Sequence, residues 1–173
     1  GYHVLVFMAS NDNQSTEQVI EELLDYQVDG IIIASVGISN DVTVRCEAMG
    51  VPVVLFNRAQ DQLAHSSVTS DNIEGGQTAA QFLCGAGHKR IAYIGGWVGA
   101  STQRDREAGF CSGLKKFGKT LFAHALGNFS TDTAKDVARE MFAASGRPDA
   151  VFVATDHMAF AVMDVLRTEL GLS

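Results

Sequence analysis

Cysteine is scarce in these 173 residues, and the three present, Cys46, Cys84 and Cys111, are odd in number and far apart. That spacing excludes a disulfide framework and any CxxC zinc or redox pattern, and it fits a reducing, cytoplasmic setting. Long apolar runs are missing too: none approaches the roughly 18 residues of a membrane span, and the N-terminus has no charged head leading into a signal-like apolar core. Basic charge is sparse, with 13 Lys and Arg against 20 Asp and Glu, a formal charge of −7. The basic residues are scattered, so the chain carries no electrostatic footprint for gripping DNA. The five histidines never fall at HxxxH or paired-carboxylate spacing, so no metal site is expected. Neither GxGxxG nor GxxxxGK[ST] occurs, which argues against a nucleotide loop even in the glycine-rich "GGWVGASTQR" (95–104), and no cofactor is expected. "GFCSG" (109–113) has the letters of a nucleophile elbow, but "QRDREA" precedes it in a helical pattern where an elbow needs a strand.

What is present is a rhythm. Short β-branched or aliphatic runs recur at 2–8, 30–35, 51–57, 66–69, 90–96, 121–127 and 149–155. Most are continuously apolar, as strands of a parallel sheet covered on both faces are. Between most of them the period changes to helical: Val19, Ile20, Leu23 and Leu24 share a face, as do Ala134, Val137, Ala138, Met141 and Phe142. This alternation predicts a doubly wound α/β architecture with parallel sheets. Ser15 with Gln18, Asn40 or Asp41, and Thr131 or Asp132 are candidate helix starts, and Gly87 suits a helix exit that needs positive φ. The only two prolines, Pro52 and Pro148, each stand just before an apolar run, and the polar "SSVTSDN" marks a crossover between two lobes near 69–72.

Ligands of open parallel sheets sit beyond the carboxyl ends of the strands. The residues there are Asn57 and Arg58, Gly95 to Thr102, Asn128 and Phe129, and Thr155 and Asp156. Thr102 and Arg106 are four apart at the start of a helix and share a face. Arg106 could grip a carboxylate, a phosphate or a pair of sugar hydroxyls, or simply pair with Asp105, Glu107 or a more distant carboxylate. Asp156 could cap the helix that follows, accept hydrogen bonds from a ligand, or do both. Phe129 reads either as a loop-anchoring aromatic or as an apolar wall for a sugar or base. Asn57 and Arg58 are either solvated loop residues or donors from the other lobe.

In order along the chain, "VDGIIIAS", "GVPVVLFNR", "SVTSDNIEGGQTAAQFLCGAGHKRIAYIGG", "RDREAGF" and "AVFVATDHMAFAVMDVL" resemble the effector-binding core of the lactose/galactose repressor family of bacterial transcription regulators. "GHKRIAYIGG", "RxxGF" and "TDxMA" carry most of the specificity. The resemblance implies a two-lobed, periplasmic-binding-protein-like fold of type I. Residues 1–70 would be an N-terminal lobe without its first strand and helix, and 71–173 a C-terminal lobe without its last strands, a core truncated at both ends. It further implies a small effector, a sugar, sugar acid or nucleobase, held between the lobes by Asn57, Arg58, Thr102, Arg106, Phe129 and Asp156. Arg106 would be the main donor, Asp156 the main acceptor and Phe129 the apolar wall. Asn57 stands where relatives often have aspartate, and Thr155 where many have asparagine. The implied protein is no enzyme but a homodimeric, cytoplasmic regulator that meets operator DNA only through an N-terminal headpiece this chain lacks. A periplasmic sugar-binding protein of a transporter, which shares the fold, is the alternative.

Overall fold

The computed structural model describes residues 1–8, 13–34, 40–59, 66–143 and 145–172, with side chains described from residue 17 in the first helix and from residue 43 in the second. The chain divides into two compact units, Gly1–Ser70 and Asp71–Ser173.

In the first unit, α1 (Asn13–Asp25), β1 (Ile31–Ala34), α2 (Asn40–Ala48), β2 (Val53–Phe56) and β3 (Ser66–Val68) follow one another, and the strands form a parallel sheet in the order β1-β2-β3. Ile31 pairs with Val53, and Val54 with Ser66. Ile31, Ile33, Val53 and Leu55 pack with Ile20, Leu24 and Cys46 into one core. Because side chains alternate along a strand, the residues next to these in sequence, Ile32 (75 % exposed) and Phe56, face out. Here the expectation of cover on both faces fails: the apolar run is continuous, but the described helices bury only one side. The expected strand over 2–8 is also absent. A strand exists only through its ladder, and this segment pairs with no described strand, so Tyr2, Val4, Val6 and Met8 stay exposed. α1 begins at Asn13, which puts Ser15 inside the helix and not at its cap; the side chains of Ser15, Asn40 and Asp41 lie outside the described residues.

The second unit runs α3 (Asn72–Gly85), β4 (Ile91–Gly95), α4 (Ser101–Lys116), β5 (Ala123–Leu126), α5 (Thr131–Ala143), β6 (Ala150–Val153) and α6 (Asp156–Asp164), which continues into a π turn over Val165–Glu169. Its parallel sheet has the order β5-β4-β6. The chain crosses from β4 to β5 in one direction and back over β4 to β6 in the other, and right-handed crossovers of opposite direction put their helices on opposite faces. Accordingly α4 packs with α3 and α5 with α6, and β4 is buried at every residue. Tyr93 stacks on Phe110 of α4 at 5.7 Å and meets Phe152 of β6 at 5.6 Å. Burial pushes the Tyr93 phenol well above its ordinary range.

"AGHKRIAYIGG" (86–96) opens with a helix exit. The Gly87 N–H donates to the Cys84 carbonyl and the His88 N–H to that of Leu83, a Schellman pattern centred on Gly87 at φ 89°. Asp149, just before β6, then accepts from the Lys89 and Arg90 backbone N–H groups at 3.0–3.2 Å. Partial desolvation pushes the Asp149 carboxyl up, but the two N–H donors with the Arg90 and His88 charges outweigh it and hold the group below its ordinary 3.8.

The closest packing in the unit is between α3 and α4. A Cβ on Gly76 would lie 2.3 Å from the Arg106 carbonyl, one on Gly109 2.1 Å from that of Ile73, and one on Gly113 2.7 Å from the Ala80 Cβ. The two helices touch backbone to backbone there, which only glycine allows.

Two outcomes follow from this packing and capping. Gly109→Ala would gain about 1 kcal/mol of helix propensity but overpack against backbone at about 3 kcal/mol. The net loss, about 2 kcal/mol in urea unfolding, contrasts with Gly75→Ala, where nothing lies within 4 Å and stability should rise. Asp149, with its lowered native pKa, contributes stability that is complete above pH 3.8 and lost as the pH falls through the native value. Urea midpoints measured from neutral pH down into that range should fall less steeply for Asp149→Asn than for the parent chain.

Candidate functional site

In the second sheet, β4 is the topological switch: its loop leads to β5 and α4, while the loop after β6 leads to the other face. The crevice beyond its carboxyl end is where such sheets take ligands. Gly96–Ala100, Gly127–Ser130 and Ala154–Thr155, with the first turns of α4, form this rim.

Arg106 stands on the second turn of α4. Its guanidinium donates through Nη1 to the carbonyl of Ala154, at the end of β6, and through Nη2 to Asn72 Oδ1 at the start of α3, 2.6 Å away. A guanidinium has five N–H donors, so these bonds aim the group without exhausting it. Thr102, one turn earlier, is 3 % exposed, in a run of buried polar residues with Ser101 and Gln103. Gln103 Oε1 accepts from the Gly96 N–H at 2.7 Å and the Tyr93 hydroxyl at 3.0 Å, while its Nε2 donates to Glu107. Glu107 in turn pairs with His124 of β5 at 3.1 Å.

Phe129 lies in a turn closed by the Ser130 N–H donating to the Gly127 carbonyl at 2.8 Å. Both central residues, Asn128 (φ 52°) and Phe129 (φ 59°), have left-handed backbone, the signature of a type I′ turn. For a phenylalanine this conformation is unfavourable by about 1–2 kcal/mol, and the surroundings hold it. Its ring packs on the unit's core and fills the space above Gly96, where a Cβ would lie 2.1 Å from the ring. Its carbonyl accepts from His157 Nε2 of α6 at 3.0 Å. Both sequence readings of Phe129 therefore describe the same residue: it anchors the loop and remains partly exposed at the rim.

Asp156 does not cap α6. Thr155, with extended backbone, is the N-cap, and Asp156 is the first helical residue, exposed and favourably placed against the positive end of the helix dipole. The Thr155 hydroxyl makes no capping bond, and its Oγ1 is buried without a hydrogen-bond partner among the described residues. Likewise α5 is capped one residue ahead of expectation: Ser130 Oγ accepts from the Thr133 N–H.

Asn57 and Arg58 belong to the first unit. Asn57 ends β2 with φ 58° and donates its N–H to the Val68 carbonyl, and Arg58 Nη1 donates to the Asn57 carbonyl at 3.0 Å. The four rim residues Thr102, Arg106, Phe129 and Asp156 thus lie together in the second unit, and Asn57 with Arg58 form a separate pair at the equivalent strand end of the first.

Asn72, Gln103 and Thr155 were absent from the expected set. Asn72 and Gln103 act through residues distant in sequence or through one backbone N–H, which no local pattern signals. Thr155 stands out in the sequence at its strand end but is not among the expected effector contacts. Cys111 lies inside α4, so "GFCSG" is no elbow, and burial pushes its thiol up. Among the described residues no group of three His, Cys, Asp or Glu could hold a metal ion, and no helix is long and apolar enough to cross a membrane.

Residues 1–172 match the family described as periplasmic binding protein domain. The chain belongs to that family. The domain is 33 % identical over 119 residues to the maltose regulon regulatory protein MalI of Escherichia coli (strain K12), covering 68 % of this chain and 35 % of that one. It is 30 % identical over 177 residues to the ribose import binding protein RbsB of Bacillus subtilis (strain 168), covering 97 % and 56 %. A solved regulatory protein of the LacI family from Chloroflexus aggregans superposes with a TM-score of 0.81 at 25 % identity, covering 99 % of this chain and 62 % of that one. The domain spans less than two thirds of each of these relatives. The type I fold and the likeness to LacI-type regulators expected from the sequence are both met.

Gly96 has a backbone that any residue can adopt, so its need is for space. Gly96→Ala should displace the Phe129 ring from the core, read as a change in the Phe129 aromatic NMR shifts together with a lower melting temperature. An unmoved ring would mean that Gly96 is not its seat.

Proposed function

We propose that this periplasmic binding protein domain is the effector-sensing part of a LacI-type transcriptional regulator and that its effector is a sugar or sugar derivative. The observation that carries the reading is the rim of the second unit. A guanidinium aimed by two acceptors, an exposed carboxylate at a helix N-terminus and a partly exposed aromatic ring supply the donor, acceptor and apolar wall that a polyhydroxylated ring needs. In this reading Arg106 and Asp156 grip ligand hydroxyls, Phe129 lies against the sugar face, Thr102 and Thr155 supply hydroxyls, and Asn57 with Arg58 contribute hydrogen-bonding groups from the first unit. The named relatives, which serve a maltose regulon and ribose import, support a sugar over a nucleobase.

The domain is read as a binding module and not an enzyme, because its relatives regulate or bind. The effector acts by binding two arrangements of the protein with different affinity and so shifting their populations. The whole regulator is read as a cytoplasmic homodimer contacting operator DNA through an N-terminal headpiece. The exposed Phe160 and Met163 of α6 offer apolar surface for such pairing. A solute-binding role in sugar import is the second reading, favoured by the match to the ribose import binding protein over nearly the whole chain.

Thermal-shift titration against D-ribose, maltose, sugar acids and nucleobases tests the proposal. A true ligand at 100 times its Kd stabilises the native state by about 2.7 kcal/mol, and the shift should vanish in Arg106→Ala and Asp156→Ala. The only tryptophan, Trp97, lies on the β4 rim loop, 46 % exposed, and its fluorescence should report the same saturation. An undiminished shift in both variants would overturn the site.

A further inference from the structure

Arg106 is the residue on which the proposed site depends, and its orientation is built from the start of α3 and the end of β6 and not from its own helix. α3 begins at Asn72, two residues past the junction between the units, and Asp71 caps it by accepting the Glu74 N–H at 2.8 Å. The crossing at Gly76 and Gly109 then fixes the backbone of Arg106 against this helix. Asn72 is 5 % exposed, and an arginine can only donate, so the asparagine must turn its Oδ1 towards the guanidinium. A buried amide facing a partly exposed cation does little for burial as such, since an apolar residue would fill the same space without desolvating a polar group. What the amide adds is direction: with the Ala154 carbonyl it pins two nitrogens of one planar group and fixes the plane of the fork.

We infer that Asn72 is a positioning residue for the ligand, acting through Arg106. This deepens the effector-binding reading and rests on it for its consequence, although the Asn72–Arg106 coupling can be read without any ligand. The segment that joins the two units thereby ends on a side chain tied to the arginine.

Nitrogen-15 NMR of the arginine side chains of the whole chain, with Arg106 assigned by its loss in Arg106→Lys, is the direct test. In the parent chain the Arg106 Nη protons should be individually resolved and slow to exchange. In Asn72→Ala and Asn72→Ser, neither of which can reach the guanidinium, they should average and exchange fast. Asn72→Asp, which keeps the acceptor, should restore them. Unchanged Arg106 signals in either short variant would overturn the inference, and if neither folds, loss of the slow signals in a folded Asn72→Asp would do so.

With D-ribose as the probe, read by Trp97 fluorescence, the short variants should bind about tenfold more weakly, the free energy of immobilising one long side chain, and Asn72→Asp near normally. Equal ribose affinity in parent and short variants, with ribose binding lost in Arg106→Ala, would sink the positioning role and leave the site standing. Ribose binding that survives Arg106→Ala would sink the site while the NMR result still decided the coupling.

Discussion

The backbone contact between α3 and α4 is the constraint from which most of the second unit follows. Helices usually keep about 8–10 Å between axes because side chains separate them. Three glycines, with Ala80, remove that spacer at the crossing, and the carbonyls of Arg106 and Ile73 come against the opposite helix. Two backbones in van der Waals contact can neither slide nor rotate without a clash. The start of α3 and the second turn of α4 therefore behave as one body, and on that fixed backbone frame the Asn72 bond sets the direction of the Arg106 side chain.

The two ends of the second sheet are built for different purposes. At the amino end, Asp149 gathers the Lys89 and Arg90 backbone donors and Lys119 Nζ donates to the His88 carbonyl, so charges are spent on closing the chain. At the carboxyl end buried polar groups hold a partly exposed Arg106 beside the exposed Asp156, and the backbone adopts left-handed conformations at Asn128 and Phe129 that the surroundings must maintain. Unfavourable local geometry concentrated at one end of a sheet is typical of places where recognition outranks stability.

The sequence made β1, β2, β4 and β6 legible because a continuous apolar run bounded by polar residues has few other uses, whereas β3 (Ser66–Val68) and β5 (Ala123–Leu126) were read from their place in the rhythm. It misled at residues 2–8, where the composition is equally strand-like, because pairing depends on what lies alongside. Helix faces were readable from Ile20 and Leu24 or Ala134 and Ala138, whereas caps slipped by a residue, as at Ser130, since neighbouring hydroxyls are locally equivalent. Of the site, Phe129 and Asp156 were visible from their places at strand ends, Arg106 from its helix face shared with Thr102, and all three from family resemblance. Asn72 was not, because 34 residues separate it from the group it holds. Nor was the purpose of Gly76 and Gly109, since the need for a missing Cβ belongs to the partner helix.

The strand order carries a consequence for how the chain is made. In the first unit β1, β2 and β3 lie side by side in the order of synthesis, so each strand finds its neighbour already waiting. In the second unit the central strand, β4, is made first and is the most thoroughly covered, but its two flanks come from residues 123–126 and 150–153. During translation an apolar ribbon must therefore wait, open on both edges for about thirty further residues and on its β6 edge for nearly sixty, at about 5–20 per second. For those seconds the second unit exposes an unpaired strand edge, the state that chaperones shield.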